Sequence, residues 1–182
     1  MGAKAQCDTN LVPNTNFTIL SVSSQHNSFH AINAIDGDTT TAWKSGNASF
    51  PHELVLDLGQ AYNLNGIGIM SKTFGTINGK LKDFELYISS DTANWGNAEI
   101  APSLTYQSNT SIENKKVYFG AVAGRYVKFR ALSNVHDGDT SRLFISELSF
   151  YKDSCQASGK HNQAITFAAI SKKTTTDSSF SL

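Results

Sequence analysis

The sequence predicts an all-β fold, an antiparallel sandwich or jelly roll, on three observations. Polar and apolar residues alternate in several short runs, loops rich in Asn, Ser, Thr, Asp and Gly separate those runs, and no segment of a dozen residues keeps a 3.6-residue period. The first run is Phe17 to Val22. In Glu53-Leu-Val-Leu-Asp-Leu58 the leucines at 54, 56 and 58 share one face, as neighbours two apart must on a strand. A further strand is expected near Gly66 to Met70. In Leu81 to Ile88, Phe84, Leu86 and Ile88 take one face and Asp83, Glu85 and Tyr87 the other. Lys116 to Phe119, Tyr126 to Leu132 (Val127, Phe129 and Ala131 inward) and Leu143 to Tyr151 complete the set. Turns are expected at Asp36-Gly37, Asn65-Gly66, Asn78-Gly79 and Asp137-Gly138.

A chain of 182 residues holds one ordinary domain with a few tens of residues to spare. Hydrophobic residues make up 40% and charged residues only 16%, which fits neither a disordered tail nor a highly charged helical bundle. With 15 basic and 15 acidic residues there is no broad basic field, so a nucleic-acid partner is not expected. The sequence has no run approaching 18 apolar residues, and Met1 to Gln6 does not read as a signal peptide. The chain reads as a soluble piece of a longer protein. After Tyr151 the texture changes. Residues 156–163 read as a linker, and Ala164-Ile-Thr-Phe-Ala-Ala-Ile170 as one strand that cannot bury itself alone. Residues 164–182 are therefore expected to begin a second, truncated module or to pack a tail strand on the first. This segment resembles the opening of bacterial immunoglobulin-like repeats.

Cys7 and Cys155 flank nearly all the strand-like sequence. Either they are free thiols, or they bridge the two ends of a domain, which contributes roughly 5 kcal/mol in the chain-entropy model and implies an oxidising compartment. The carboxylate pairs Asp137/Asp139 and Glu53/Asp57 sit in turns or on strand edges, where such groups face solvent. The chain contains no GxSxG elbow, HExxH helix or phosphate-binding loop, and His26, His30, His52, His136 and His161 lack metal-ligand spacing. Enzymatic activity is not expected.

The segment Asn33-Ala-Ile-Asp-Gly-Asp-Thr-Thr-Thr-Ala-Trp43 resembles the signature of the discoidin domains, also called coagulation-factor C-type domains, and especially of the family 32 carbohydrate-binding modules. Four landmarks follow in the family's order: His52-Glu-Leu-Val-Leu-Asp-Leu-Gly59; Asn78-Gly79 ahead of Phe84-Glu-Leu-Tyr-Ile-Ser-Ser-Asp91 and Trp95; Gly124-Arg-Tyr-Val-Lys-Phe129; and Ile145-Ser-Glu-Leu-Ser-Phe150. The resemblance implies an eight-stranded jelly roll over residues 7–155 with its ligand site on loops at one end. It also implies a Cys7–Cys155 bridge closing the ends, as in discoidin members.

Asp36, Asp38 and Thr41 sit on one tight turn around Gly37, where carboxylates, a hydroxyl and carbonyls can converge. Calcium takes six to eight such oxygens. The ligand set the resemblance implies is the carbonyl of Asn33, Asp36, Asp38, Thr41, the carbonyl of Ser146, and Glu147, with calcium in a structural role. For sugar, galactose-binding relatives carry a histidine and then an aromatic after the Thr-x-Trp motif, and an arginine before Asn-Gly. Here Lys44 and Asn47 stand at the first two positions and Ser71-Lys72 near the third, while Asn78 fits. Lys44, Lys72 and Arg142 on one rim would suit an acidic polysaccharide such as alginate, with galactosides the other candidates. Phe74, His26, Phe29, His30 and His136 are the loop candidates for stacking or hydrogen bonding, and Trp43 and Trp95 read as packing residues.

The expected function is thus a non-catalytic carbohydrate-binding module of a secreted, bacterial polysaccharide-degrading enzyme. Its partners would be a poly- or oligosaccharide and the catalytic domain of the parent protein. The alternative is an adhesion module binding a protein or an anionic membrane, although the loop tips are mostly polar. Sequons at Asn16, Asn47 and Asn109 matter only in a eukaryotic secretory host.

Overall fold

A computed structural model describes residues 9–71, 79–107, 112–135 and 141–153. Within them the chain forms eight strands, all paired antiparallel: β1 (Thr9–Leu11), β2 (Thr18–Val22), β3 (Trp43–Lys44), β4 (His52–Ser71), β5 (Phe84–Ser89), β6 (Glu113–Ala131), β7 (Phe144–Ile145) and β8 (Glu147–Asp153). Short 3-10 turns span Asn14–Asn16 and Ala31–Ala34. The expected all-β antiparallel class is what forms. Cys7, Cys155 and the linker and tail expected at 156–163 and 164–182 lie outside the described residues.

Two strand pairs expected as separate pieces are continuous. A 20-residue strand such as β4 would run about 65 Å if straight, so it has to bend. Its pairing with β6 slips between Asp57 and Tyr62 and again between Leu64 and Gly66. Before the bend, β2, β4, β6 and β5 lie side by side. After it the order is β1, β8, β4 and the first part of β6. β4 and β6 therefore run through both layers.

The alternation read from the sequence explains the core. Leu54, Leu56 and Leu58, Phe84 and Leu86, and Val127, Phe129 and Ala131 are buried from the first layer, with Leu64, Ile67, Ile69, Leu148 and Phe150 from the second. The Phe84 and Phe129 rings stand 5.4 Å apart. Their partners two-by-two along each strand face out. There Arg130 pairs with Glu53 at 2.9 Å and Glu85 at 2.8 Å, and Arg125 forks onto Asp57. Glu53 and Asp57, expected to face solvent, are held in these outer ion pairs. The run Leu143 to Tyr151 is split by a bend at Ser146, which sends β7 to pair with β3 at one end of the molecule.

Candidate functional site

Loops converge at the end of the sandwich where β3 meets β7. The register sets Lys44 against Phe144 and Trp43 against Ile145. Trp43 is fully buried, and its indole N–H donates to the carbonyl of Ser24 at 3.0 Å, so it packs as expected. Lys44 Nζ lies 5.5 Å from the centre of the Phe144 ring. Phe29 meets that ring edge-on at 6.4 Å, and His26 sits 5.6 Å from Phe29. Backbone bonds fix the group: the Lys44 N–H donates to Phe29, and the His26 N–H donates to Lys44. Gly79 closes on the other side. The Phe144 N–H donates to the Gly79 carbonyl at 2.8 Å, and a Cβ on Gly79 would collide with the Phe144 ring. Only glycine permits that approach, at a φ of +107°.

Of the expected sugar residues, the structure thus brings together His26 and Lys44 with Phe29. Arg142 enters two residues before Phe144, exposed, its carbonyl accepting from Asn134 Nδ2 at 2.8 Å. His30 is exposed ahead of the turn at Ala31, and Asn47 is exposed on the loop beyond β3, without a contact to the Lys44 cluster among the interactions described. Lys72, Phe74, Asn78 and His136 lie outside the described residues. The sequence reading missed Phe144, the floor of the cluster.

It also missed what holds the floor in place. His52 is fully buried and bridges two loops: Nδ1 is 3.1 Å from Ser24 Oγ and Nε2 is 2.9 Å from the carbonyl of Ser141. The Ser45 hydroxyl donates to that same carbonyl at 2.7 Å and accepts from the Leu143 N–H. Burial pulls the His52 pKa below its ordinary value against the opposing effect of the Ser141 carbonyl. A neutral ring is therefore the resting state.

The acidic turn lies on a different flank. Asp36 Oδ2 accepts from the Thr41 hydroxyl at 2.8 Å, and Asp36 Oδ1 accepts from the Asp38 N–H. Glu147 reaches across from β8 to accept from the Gly37 N–H at 3.1 Å. Asp38 Oδ1 is engaged by the N–H and hydroxyl of Thr40, while its carbonyl faces the Thr41 N–H and hydroxyl. Asn33 spends its side chain on the Ala42 carbonyl. Ser146 is fully buried, donates its N–H to Met70 at 2.7 Å, and leaves its hydroxyl without a hydrogen bond. Burial, reinforced by the Asp36 carboxylate, pushes Glu147 up to about 7. Among the described residues no three His, Cys, Asp or Glu side chains gather into a metal-holding group. The donors here are two repelling carboxylates and hydroxyl and carbonyl oxygens, a set that fits a hard cation and not a soft one.

Residues 19–145 match the F5/8 type C domain family. Among solved structures, the chain superposes on a family 32 module from a family 31 glycoside hydrolase of Clostridium perfringens with a TM-score of 0.69 at 22% identity, covering 78% of this chain and 94% of that one. The family 32 module of NanJ from C. perfringens, solved with galactose, gives 0.67 at 23% identity over 80% and 100%. A third C. perfringens module, solved with GalNAc-β-1,3-galactose, gives 0.66 at 24% over 78% and 99%. Galactose oxidase of Gibberella zeae is 31% identical over 108 residues, 57% of this chain, and the chain spans only 15% of that protein.

Proposed function

Since the chain belongs to the F5/8 type C domain family, we propose that it is a non-catalytic carbohydrate-binding module that grips a saccharide at the loop end where β3 meets β7. The observation that carries this reading is the Lys44–Phe144–Phe29–His26 cluster, with Arg142 exposed two residues before Phe144 in the chain. Phe144 is only 8% exposed. The surface offered to solvent is therefore the ammonium lying above the ring more than a bare aromatic plane. That arrangement favours a uronate or sulfate group paired with Lys44 and Arg142, with sugar C–H bonds resting on Phe29. An acidic polysaccharide such as alginate is the preferred ligand class. The galactose and GalNAc held by the structural neighbours make galactosides the comparison set.

Calcium, held by Asp36, Asp38, Thr41 and Glu147 with the carbonyls of Asn33 and Ser146, would offset the repulsion between the Asp36 and Glu147 carboxylates. It would tie the early loop to β8 and carry no chemistry beyond that. A role beside a catalytic domain in a secreted enzyme follows the same reading, because a weak module raises the effective concentration of substrate for a tethered partner.

Titration calorimetry with oligoalginate, agar oligosaccharides and galactosides tests the proposal. Binding to the acidic oligosaccharide with a Kd on the order of 0.1 to 1 mM is expected. Lys44→Ala should weaken it roughly three- to tenfold, since a partly exposed ion pair is involved. Silence across all three sets would overturn the reading, and undiminished binding by the variant would move the site away from Lys44.

A further inference from the structure

A second concavity lies away from the loop end, on the outer face of the layer built by β1, β8, β4 and β6. Register makes it. Gly66, Gly68 and Met70 point outward from β4. Opposite them, β6 contributes Tyr118, Lys116 and Asn114, and β8 contributes Tyr151, Ser149 and Glu147. The middle strand therefore carries two residues without side chains between two strands that carry tall ones. The result is a trough. The Tyr118 and Tyr151 rings, 5.7 Å apart, close it at Gly66. Beyond Met70 it opens against Leu11 and Asn14, where β1 leaves the edge of β8, in a cavity of about 320 Å³.

The trough floor is narrow in a specific way. A Cβ on Gly68 would collide with Ser149 Oγ and stand 3.2 Å from Asn114 Oδ1 and 3.3 Å from Tyr151 Cε2. A hydroxyl oxygen, an amide oxygen and an aromatic edge thus crowd the same point. Asn114 is exposed and Ser149 is half-exposed, so solvent reaches both. Tyr118, 52% exposed, offers a ring face beside them. Glu147 puts a carboxylate at one end, and Lys116 holds its ammonium 5.3 Å from the Tyr151 ring. Glu147 disfavours phosphate, sulfate and uronate at its end, while Leu11, Val12, Pro13, Phe17, Met70 and Leu148 give the cavity an apolar wall set with a few polar groups. An oxygen-rich, ring-shaped neutral molecule matches it: hydroxyls to Asn114, Ser149 and Asn14, and a C–H face to tyrosine. Pockets of small-molecule size begin at roughly 300 Å³, room for one or two pyranose rings.

We propose that this trough is a second saccharide subsite, taking a neutral sugar unit, distinct in place and in charge from the cationic loop end. The inference rests on the carbohydrate-binding reading but not on the loop-end site. A two-site module would grip a chain carrying both neutral and acidic units, or cross-link two chains.

The test is residue-resolved NMR on the whole chain, titrated separately with a neutral panel (galactose, N-acetylgalactosamine, lactose, cellobiose) and with oligoalginate. Saturable amide shifts from the neutral panel are expected at Met70, Asn114, Ser149 and Tyr151. Asn114→Ala should weaken that set about fivefold or more by removing a hydrogen-bond acceptor, and Tyr118→Ala should do so by removing the ring face. Lys44→Ala should leave the trough set in place. The response at Lys44 and Phe144 reports that each trough variant remains folded. Neutral-sugar shifts confined to the loop end overturn the trough and leave the proposed function standing. Neutral-sugar shifts confined to the trough support it, and oligoalginate shifts that also fall there and spare Lys44 and Phe144 overturn the loop-end site. Absence of neutral-sugar shifts overturns the trough, and if oligoalginate is silent as well the carbohydrate reading falls with it.

Discussion

On one flank of the loop end, His52, Ser24, Ser45 and Ser141 join three separate segments through neutral hydrogen bonds, and every described partner is satisfied. Gly46 donates to Ser24 Oγ, so the serine proton is left for His52 Nδ1, and Nε2–H then donates to the Ser141 carbonyl. On the other flank, Asp36 and Glu147 also join distant segments, but as two carboxyl groups, and burial together with the Asp36 charge pushes Glu147 up to about 7. The first bracket is complete within the protein. The second is where a cation from solution can act.

The largest effect should come from breaking the complete bracket. His52→Ala removes one hydrogen bond each from Ser24 Oγ and the Ser141 carbonyl and opens a cavity where a fully buried ring stood. The cost is about 3 kcal/mol of unfolding free energy by chemical denaturation, equal in calcium and in chelator. The sign of its pH dependence follows from the lowered pKa. With the folded value below the unfolded one near 6.5, stability is whole above pH about 6.5 and declines as pH falls toward the folded value. His52→Ala should flatten the stability curve across that interval. If the variant shows the same slope as the parent, the titrating group is elsewhere.

The incomplete bracket should give the next effect, and it is conditional. The melting temperature is expected to rise with calcium and to fall with chelator, by the equivalent of about 2.7 kcal/mol at a hundredfold excess over Kd. Glu147→Gln should erase that difference. In chelator the variant should be no less stable than the parent, because an amide does not repel Asp36. Equal melts of the parent in both conditions would show that the turn stands without a cation.

How much of this could be read from the chain depends on the distance over which the signal is written. The inward faces of β4, β5 and β6 were legible because a two-residue alternation is local: Leu54, Leu56 and Leu58 announce themselves. The acidic turn was legible for the same reason, Asp36 to Thr41 being a few residues long. The continuity of β4 through Gly59 was not legible, since a bent strand and a turn share the same small and polar residues. Phe144 and His52 were not legible either. A phenylalanine in a strand reads as core, and its place beneath Lys44 exists only through a register joining residues a hundred positions apart. Asn47 shows the converse: it follows Lys44 closely in sequence yet stands exposed, outside the Lys44 cluster. The trough over Gly68 needed three strands in register before its glycines meant anything.

The smallest effect should come from a third kind of bracket, an ion pair open to water at the bend of β4 and β6. Arg125 forks onto Asp57 with bonds of 2.8 and 2.7 Å, and Asp57 Oδ1 also accepts from the Gly59 N–H at 2.7 Å. The Arg125 hydrogen bonds, above all, lower the Asp57 pKa. A depressed folded value means that the stabilisation is whole above the unfolded pKa near 4 and is lost as pH falls through the folded one. Half of the pair is well exposed, at 43% for the Arg125 side chain, so screening keeps the effect small. Asp57→Asn retains an oxygen for the Gly59 N–H and removes only the charge. At neutral pH its melting temperature should lie on the order of 2 °C below the parent's, and the two curves should meet in acid. A gap that persisted below pH 3 would mean that the carboxylate's geometry, not its charge, holds the bend.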